Sequence, residues 1–177
     1  MEQVHQVVLS HLDFDGQGQL LDVGCGSGAL SIRAALTWRA AQVVGIDYWG
    51  SAYGYGQAMC EKNAASEGVA ARCRFQHGDA NKLDFPDESF DAVVSNYVYH
   101  NITGADKRAL LQETLRVLKK GGVFALNDEM KHHMYGDMEA FAQELRDIGY
   151  EDVRLIDTAQ EAFGSRRRAA MMMLGDS

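Results

Sequence analysis

Proline is almost missing from this chain, with Pro86 alone among 177 residues. Nothing in it reads as a linker, an internal repeat or a low-complexity tract. The length suits one domain that buries roughly 70% of its unfolded surface. Cysteine is sparse too: Cys25, Cys60 and Cys73 are odd in number and form no CxxC, which argues against a disulfide framework or a zinc site. Long apolar runs are lacking. The longest, Ala169 to Leu174, has six residues, against the ~20 that span a bilayer, and no basic stretch followed by an apolar one opens the chain as a secretory signal would. Positive charge is short as well, 17 Lys+Arg against 25 Asp+Glu for a net −8. Such a surface repels phosphate backbones and disfavours duplex nucleic acid as a partner. The expectation is a soluble, cytoplasmic, single-domain protein with no membrane segment.

What is present is an alternation of short apolar runs with segments of helical period. Val4, Val7, Val8 and Leu12 share one face of a helix over Glu2 to Leu12. Gln19 to Val23 reads as a strand, Ala29 to Arg39 as a helix, Gln42 to Ile46 as a strand, and Ala52 to Glu67 as a helix weakened at its start by Gly54 and Gly56. Strands follow at Arg72 to Gln76 and Phe90 to Ser95, the latter apolar enough for burial on both faces. Thr103 and Asp106 resemble a capping pair for a helix striped by Leu110, Leu111, Leu115 and Leu118 and ended by Gly121-Gly122. Gly122 to Asn127 is a fifth strand, and Met138 to Ile148 a last helix. Val153 to Asp157 and Ala169 to Leu174 are expected as two more strands joined by a loop alone. The prediction is an α/β fold: a doubly wound, Rossmann-like seven-stranded sheet in a three-layer α/β/α sandwich, its last two strands antiparallel, with ligands beyond the carboxyl ends of the strands.

At one such end stands Gly24-Cys25-Gly26-Ser27-Gly28, between the first strand and the second helix, whose first amides attract an anion. The spacing is GxGxG. It is neither the GxGxxG of dinucleotide sites nor the GxxxxGK[ST] of a P-loop. Asp22, just before it, repels a pyrophosphate but accepts from an ammonium group, so a ligand with both amine and carboxylate fits better. Asp47 closes the second strand, where an acidic residue suits a ribose diol. Tyr48 and Trp49 follow, an aromatic pair on which a base can stack; Trp49 reads equally as core. Asp79, in Gly78-Asp79-Ala80, is placed to accept from an exocyclic amine or to cap a turn. Asn96 and Tyr97 end the fourth strand beside the glycine loop, at the ligand's amino-acid end.

Together these residues resemble a class I S-adenosylmethionine-dependent methyltransferase of the small-molecule type. The resemblance rests on Leu21 to Gly28, Val44-Gly45-Ile46-Asp47, Gly78-Asp79-Ala80, Phe85 to Ser95 and Leu115 to Gly122, in order, and runs from Leu20 to about Val123. It implies the sheet order 3-2-1-4-5-7-6 with strand seven antiparallel, S-adenosylmethionine as cofactor and S-adenosylhomocysteine as product. It also implies roles: Asp22 and the backbone at Gly24, Cys25, Gly26 and Gly28 for the methionine moiety, Asp47 for the ribose, Tyr48 against the adenine, and Asp79 and Ala80 for its amine and a ring nitrogen. About 20 residues precede the glycine motif, enough for one helix and not for the family's usual lid. Either the site is open, or a partner covers it, or the chain is a piece of a larger enzyme.

Methyl transfer needs mainly placement of the nucleophile, and a hydroxyl or amine acceptor must also lose its proton. His100, after the fourth strand, is the candidate base; Tyr99 and Asn101 have weaker claims. Glu129, His132, His133 and Tyr135 fall in the loop after strand five, where solvated residues are the default and no facial triad of metal ligands is complete. Arg166-Arg167-Arg168 could clamp an anionic substrate but reads first as a solvated hairpin, and Met171 to Met173 as the packing face of a buried strand. A rival reading is a binder of the cofactor without catalysis. A nicotinamide oxidoreductase is disfavoured by the GxGxG spacing and by Asp22.

Overall fold

A computed structural model describes residues 1–50, 54 and 56–163. Its centre is a five-stranded, wholly parallel sheet in the order β3-β2-β1-β4-β5. The strands are β1 (Gln19–Val23), β2 (Gln42–Asp47), β3 (Cys73–His77), β4 (Phe90–Asn96) and β5 (Leu118–Asn127). β1 and β4 bury nearly every side chain because helices cover both faces: Leu20, Leu21, Val23, Ala92, Val93 and Val94 are all closed to solvent. Two apolar layers result. One packs Leu21, Val23 and Val93 under α4 (Lys107–Arg116) and α6 (Met138–Asp147), and the other packs Leu20, Val43 and Ala92 under α1 (Glu2–Ser10), α2 (Ala29–Thr37) and α3 (Gln57–Ser66).

Several boundaries differ from the sequence reading. Asp106 itself caps α4, its carboxylate accepting from the amides of Arg108 at 2.9 Å and Ala109 at 3.2 Å, so Thr103 is not the cap. The helix ends at Arg116 and not at the glycines. Leu118 enters β5 at once, opposite Phe90, and the Gly121-Gly122 pair lies in an irregular stretch where the β4–β5 register shifts. A short helix, α5 (His132–Tyr135), follows β5, and α3 begins later than expected, residues 51–53 and 55 falling outside the described ones.

The expected sixth strand, Val153 to Asp157, forms no strand among the described residues. In the anticipated order its one ladder partner is strand seven, and Ala169 to Leu174 lies outside the described residues, as does Arg166-Arg167-Arg168. Nor does a bare loop follow it. Residues 159–163 form α7 (Ala159–Phe163), because Ala162 buries itself against Val4 and Val7 of α1.

The segment between β3 and β4 has no secondary structure of its own and is held by α4. Arg116 donates to the carbonyls of Leu83 and Phe85, both at 3.0 Å, and to Asp87 at 2.6 Å. Glu113 accepts from the Leu83 amide at 2.8 Å and from Arg116 Nε at 2.9 Å, which holds its carboxyl below the usual carboxylate range. Arg116→Met strips donors from two carbonyls at once and is expected to lower unfolding stability by about 1–3 kcal/mol. Urea melts of the two proteins check this, and coincident curves refute the assignment.

Candidate functional site

The carboxyl ends of β1, β2, β3 and β4 meet at a cavity of about 750 Å³, within the range of small-molecule sites. Its floor is the glycine loop. Gly24, Gly26 and Gly28 all have left-handed backbones, at φ +72°, +56° and +82°. At Gly24 a side chain is excluded twice over, since a Cβ there would also lie 2.2 Å from Cγ2 of Val98. The amides of Gly24 and Cys25 both donate to the Ile46 carbonyl, at 2.8 and 2.9 Å, tying the loop to β2.

Asp47 completes this junction. One carboxylate oxygen accepts from the Gly26 amide and the other from the Trp49 amide, each at 2.8 Å. Each oxygen keeps acceptor capacity toward the cavity. Trp49, at φ +44°, donates its indole N–H to the Gly26 carbonyl at 2.9 Å, so its ring braces the loop from the core side. Tyr48 lies in the open at 63% exposure, tilted against His77 at 5.2 Å, and lines the cavity.

Of the residues expected at the site, Asp22, Gly24, Cys25, Gly26, Asp47, Tyr48, Asp79, Ala80, Asn96 and Tyr97 line this cavity. Gly28 does not. It caps α2, and its missing Cβ leaves room for Phe75 and Cys60. Asp79 is fixed by its own turn, one oxygen accepting from the Asn81 amide and side chain. Asn96 accepts from Asn127 at 2.8 Å, which in turn accepts from Thr158 at 3.1 Å.

His100 is not among the residues lining the cavity, although Val98, Asn101 and Ile102 on either side of it are. Tyr97, at φ +56°, turns the chain out of β4 so that Val98 lies over the glycine loop and His100 faces Asp128. Non-glycine residues adopt this conformation at a cost of about 1–3 kcal/mol and cluster at functional sites. His100 Nδ1 stands 2.5 Å from Oδ1 of Asp128. Asp128 is fully buried and accepts amides from Tyr99, His100 and Glu129. Against a carboxylate that accepts this many amides, Nδ1 is the donor of the pair, and Nε2 is the ring nitrogen turned away from Asp128. Beside it Tyr135 is buried with its hydroxyl unpartnered, its pKa pushed up by burial and by the neighbouring Asp128.

Two site residues escape the sequence reading. Asp128 follows β5 directly, at the same end of the sheet as Asp47 and Asn96, and that position is its one signal. His5 lines the cavity from α1, among valines that read as plain core.

A methyltransferase-domain family model matches residues 21–126, which is more than half of the chain. The chain belongs to the methyltransferase-domain family. It is 33% identical over 134 residues to the 27-O-demethylrifamycin SV methyltransferase of Amycolatopsis mediterranei, covering 74% of this chain and 46% of that protein. It is likewise 33% identical over 132 residues to the sterol 24-C-methyltransferase of Aspergillus fumigatus, covering 74% of this chain and 33% of that one. This methyltransferase-domain chain thus spans less than half the length of these relatives. Among solved structures, the 4+2 cyclase SpnF superposes with a TM-score of 0.73 at 24% identity, over 99% of this chain and 67% of that one. A geranyl diphosphate methyltransferase in complex with SAM gives 0.59 at 20% identity, over 71% and 48%. These two share the fold. No helix among the described residues is long and apolar enough to cross a membrane.

Asp22 is the most perturbed acid of the site. It is 1% exposed and accepts from the Ser31 hydroxyl at 2.6 Å, yet burial pushes its carboxyl up to about 7. A folded-state value above the unfolded one means the folded protein holds this proton more tightly than the unfolded chain. The resulting stability is present below pH 4 and is lost as pH rises through about 7, on the order of 4 kcal/mol in all. Asp22→Asn keeps an acceptor for Ser31 without titrating. It is expected to flatten the decline of Tm between pH 5 and 8, and parallel wild-type and variant profiles would refute the assignment.

Proposed function

We propose that this chain is an S-adenosylmethionine-dependent methyltransferase acting on a small-molecule acceptor. The observation that carries the reading is the glycine loop locked to Asp47 at the mouth of a cavity of about 750 Å³, in a methyltransferase-domain chain. The residues fit the cofactor. Asp47 keeps free lone pairs for ribose hydroxyls, and the first amides of α2, at Ala29 and Leu30, line the cavity and have no partner within the helix. The carboxylate of Asp22 is desolvated and gains most from a cation.

Bound S-adenosylmethionine supplies an electrophilic methyl group. Around it, Asp22 holds the ammonium, with the backbone of Gly24, Cys25 and Gly26 shaping the methionine subsite and Gly28 setting the start of α2. Asp47 accepts from the ribose, Tyr48 covers the adenine, Asp79 accepts from its amine, and the Ala80 amide meets a ring nitrogen. Asn96 and Tyr97 bound the amino-acid end. His100, with Nδ1 held by Asp128, takes the acceptor's proton at Nε2. Asp128 is the positioning residue that keeps this tautomer and stabilises the imidazolium.

The acceptor is a small molecule, as for the relatives named for a rifamycin and a sterol. The same reading extends the sheet to the order 3-2-1-4-5-7-6 by two strands beyond β5. Three free, buried thiols suit a reducing cytoplasm.

Calorimetric titration tests the cofactor: S-adenosylhomocysteine is expected to bind, NADH not to, and Asp47→Ala to weaken binding about ten- to a hundredfold. Binding of NADH alone would sink the reading. For the chemistry, labelled methyl transfer is screened over hydroxyl- and amine-bearing small molecules. His100→Ala and Asp128→Asn are each expected to cut turnover by about a hundredfold or more while cofactor affinity stays. Unchanged turnover in either variant removes that residue from the mechanism.

A further inference from the structure

The cavity is strongly one-sided in charge. Asp22, Asp47 and Asp79 line it, and among the described lining residues no lysine or arginine answers them. A zwitterionic amino-acid end brings a carboxylate into this acidic surround. The α2 amides of Ala29 and Leu30 supply some donors, polar side chains such as Ser27, Asn81 and Asn101 line the loops, and His5 reaches the cavity from the opposite element, α1.

His5 has no structural task that the fold reveals. It is 9% exposed, and its ring has no hydrogen-bond partner among the described residues, its backbone amide alone bonding back to Met1. Its neighbours in sequence do the packing: Val4 and Val7 bury themselves against Tyr97 and Ala162. Its ring nitrogens are unpartnered yet not sealed off, so they open toward the cavity that His5 lines. The charged groups around it are the Met1 ammonium and Glu2 on its own helix, Arg33 of α2, which is paired with Glu2 at 2.6 Å, and Glu161 of α7, which is held by His11 at 2.9 Å. Burial, with help from the ammonium and Arg33, lowers its pKa to about 4, so the ring is neutral and offers one N–H donor.

Its place in the fold says which part of a ligand it meets. α1 packs on Tyr97 at the end of β4, whereas Asp79 and Ala80 follow β3. β3 and β4 are three strand spacings apart in the sheet, about 14 Å. His5 therefore stands at the amino-acid end and far from the adenine.

We infer that His5 is a ligand contact that donates a hydrogen bond from its imidazole to the carboxylate at the amino-acid end of the cofactor, so that α1 forms one wall of the binding site. The inference rests on the cofactor reading above. The test compares S-adenosylhomocysteine with 5′-methylthioadenosine, which shares the nucleoside thioether and lacks the amino-acid end, by calorimetry on the full chain. His5→Leu is expected to weaken S-adenosylhomocysteine about tenfold or more and to leave 5′-methylthioadenosine unchanged, while His5→Gln, which keeps a donor, recovers most of the loss. Retained 5′-methylthioadenosine binding also shows that the variant is folded. Equal weakening of both ligands, or of neither, overturns the role of His5 and leaves the cofactor reading standing. A wild-type chain that binds neither ligand overturns the cofactor reading and this assignment with it.

Discussion

The carboxylate of Asp47 is the joint on which the site depends. It sits where β2 ends, yet its two oxygens are spent on amides of other segments, Gly26 of the glycine loop and Trp49 of the next turn. A charged acceptor binds amides more strongly than a neutral one, by roughly a factor of two. The loop would otherwise be three left-handed glycines with little to choose one conformation from many. With the Ile46 carbonyl taking two more amides from the same loop, the ends of β1 and β2 become one rigid piece. The first turn of α2 is aimed by that piece, and with it the donors that face the cavity.

The other half of the site hangs from a single turn. Tyr97 leaves β4 in a left-handed conformation, held by its amide bond to the Asn127 carbonyl at 2.9 Å. From that turn Val98 goes over the glycine loop, Tyr99 into the core against Thr114, and His100 to Asp128. One strained residue thus distributes three successive side chains to the glycine loop, the core and a buried carboxylate. Asp128 accepts amides from Tyr99, after this turn, and from Glu129, after β5, and so ties the two segments together.

The parallel core was legible in the sequence because it depends on local patterns. β1 spans the same five residues that run into the glycines, and β2, β3 and β4 lie within one residue of their apolar runs, whereas β5 starts four residues before its run, at Leu118, because pairing with Phe90 sets that end. Ten of the eleven expected cofactor residues reached one cavity for the same reason: strand ends and the loop between them are set by order along the chain. What was not legible depends on contacts distant in sequence. The end of α4 at Arg116 follows from Leu118 pairing with Phe90, 28 positions earlier, which outweighs the helical stripe. Asp128 has no local signal beyond its place after β5, and its role follows from contacts with Tyr99 and His100 about 28 positions earlier. His5 was hidden among valines, because a helix of period 3.6 shows which face is buried and not which neighbour lies behind it.

The close approach of Gly24 to Val98 bears on how such a site can vary. The space that a side chain at position 24 would occupy is already filled by the branched end of a residue from another strand's turn. Change is therefore ordered: position 98 can shrink freely, whereas position 24 can grow only after 98 has shrunk and only if the left-handed backbone relaxes as well. The two positions form an epistatic pair. The glycine loop is thereby inherited together with the turn that carries His100 to Asp128, although 74 positions separate Gly24 from Val98 along the chain.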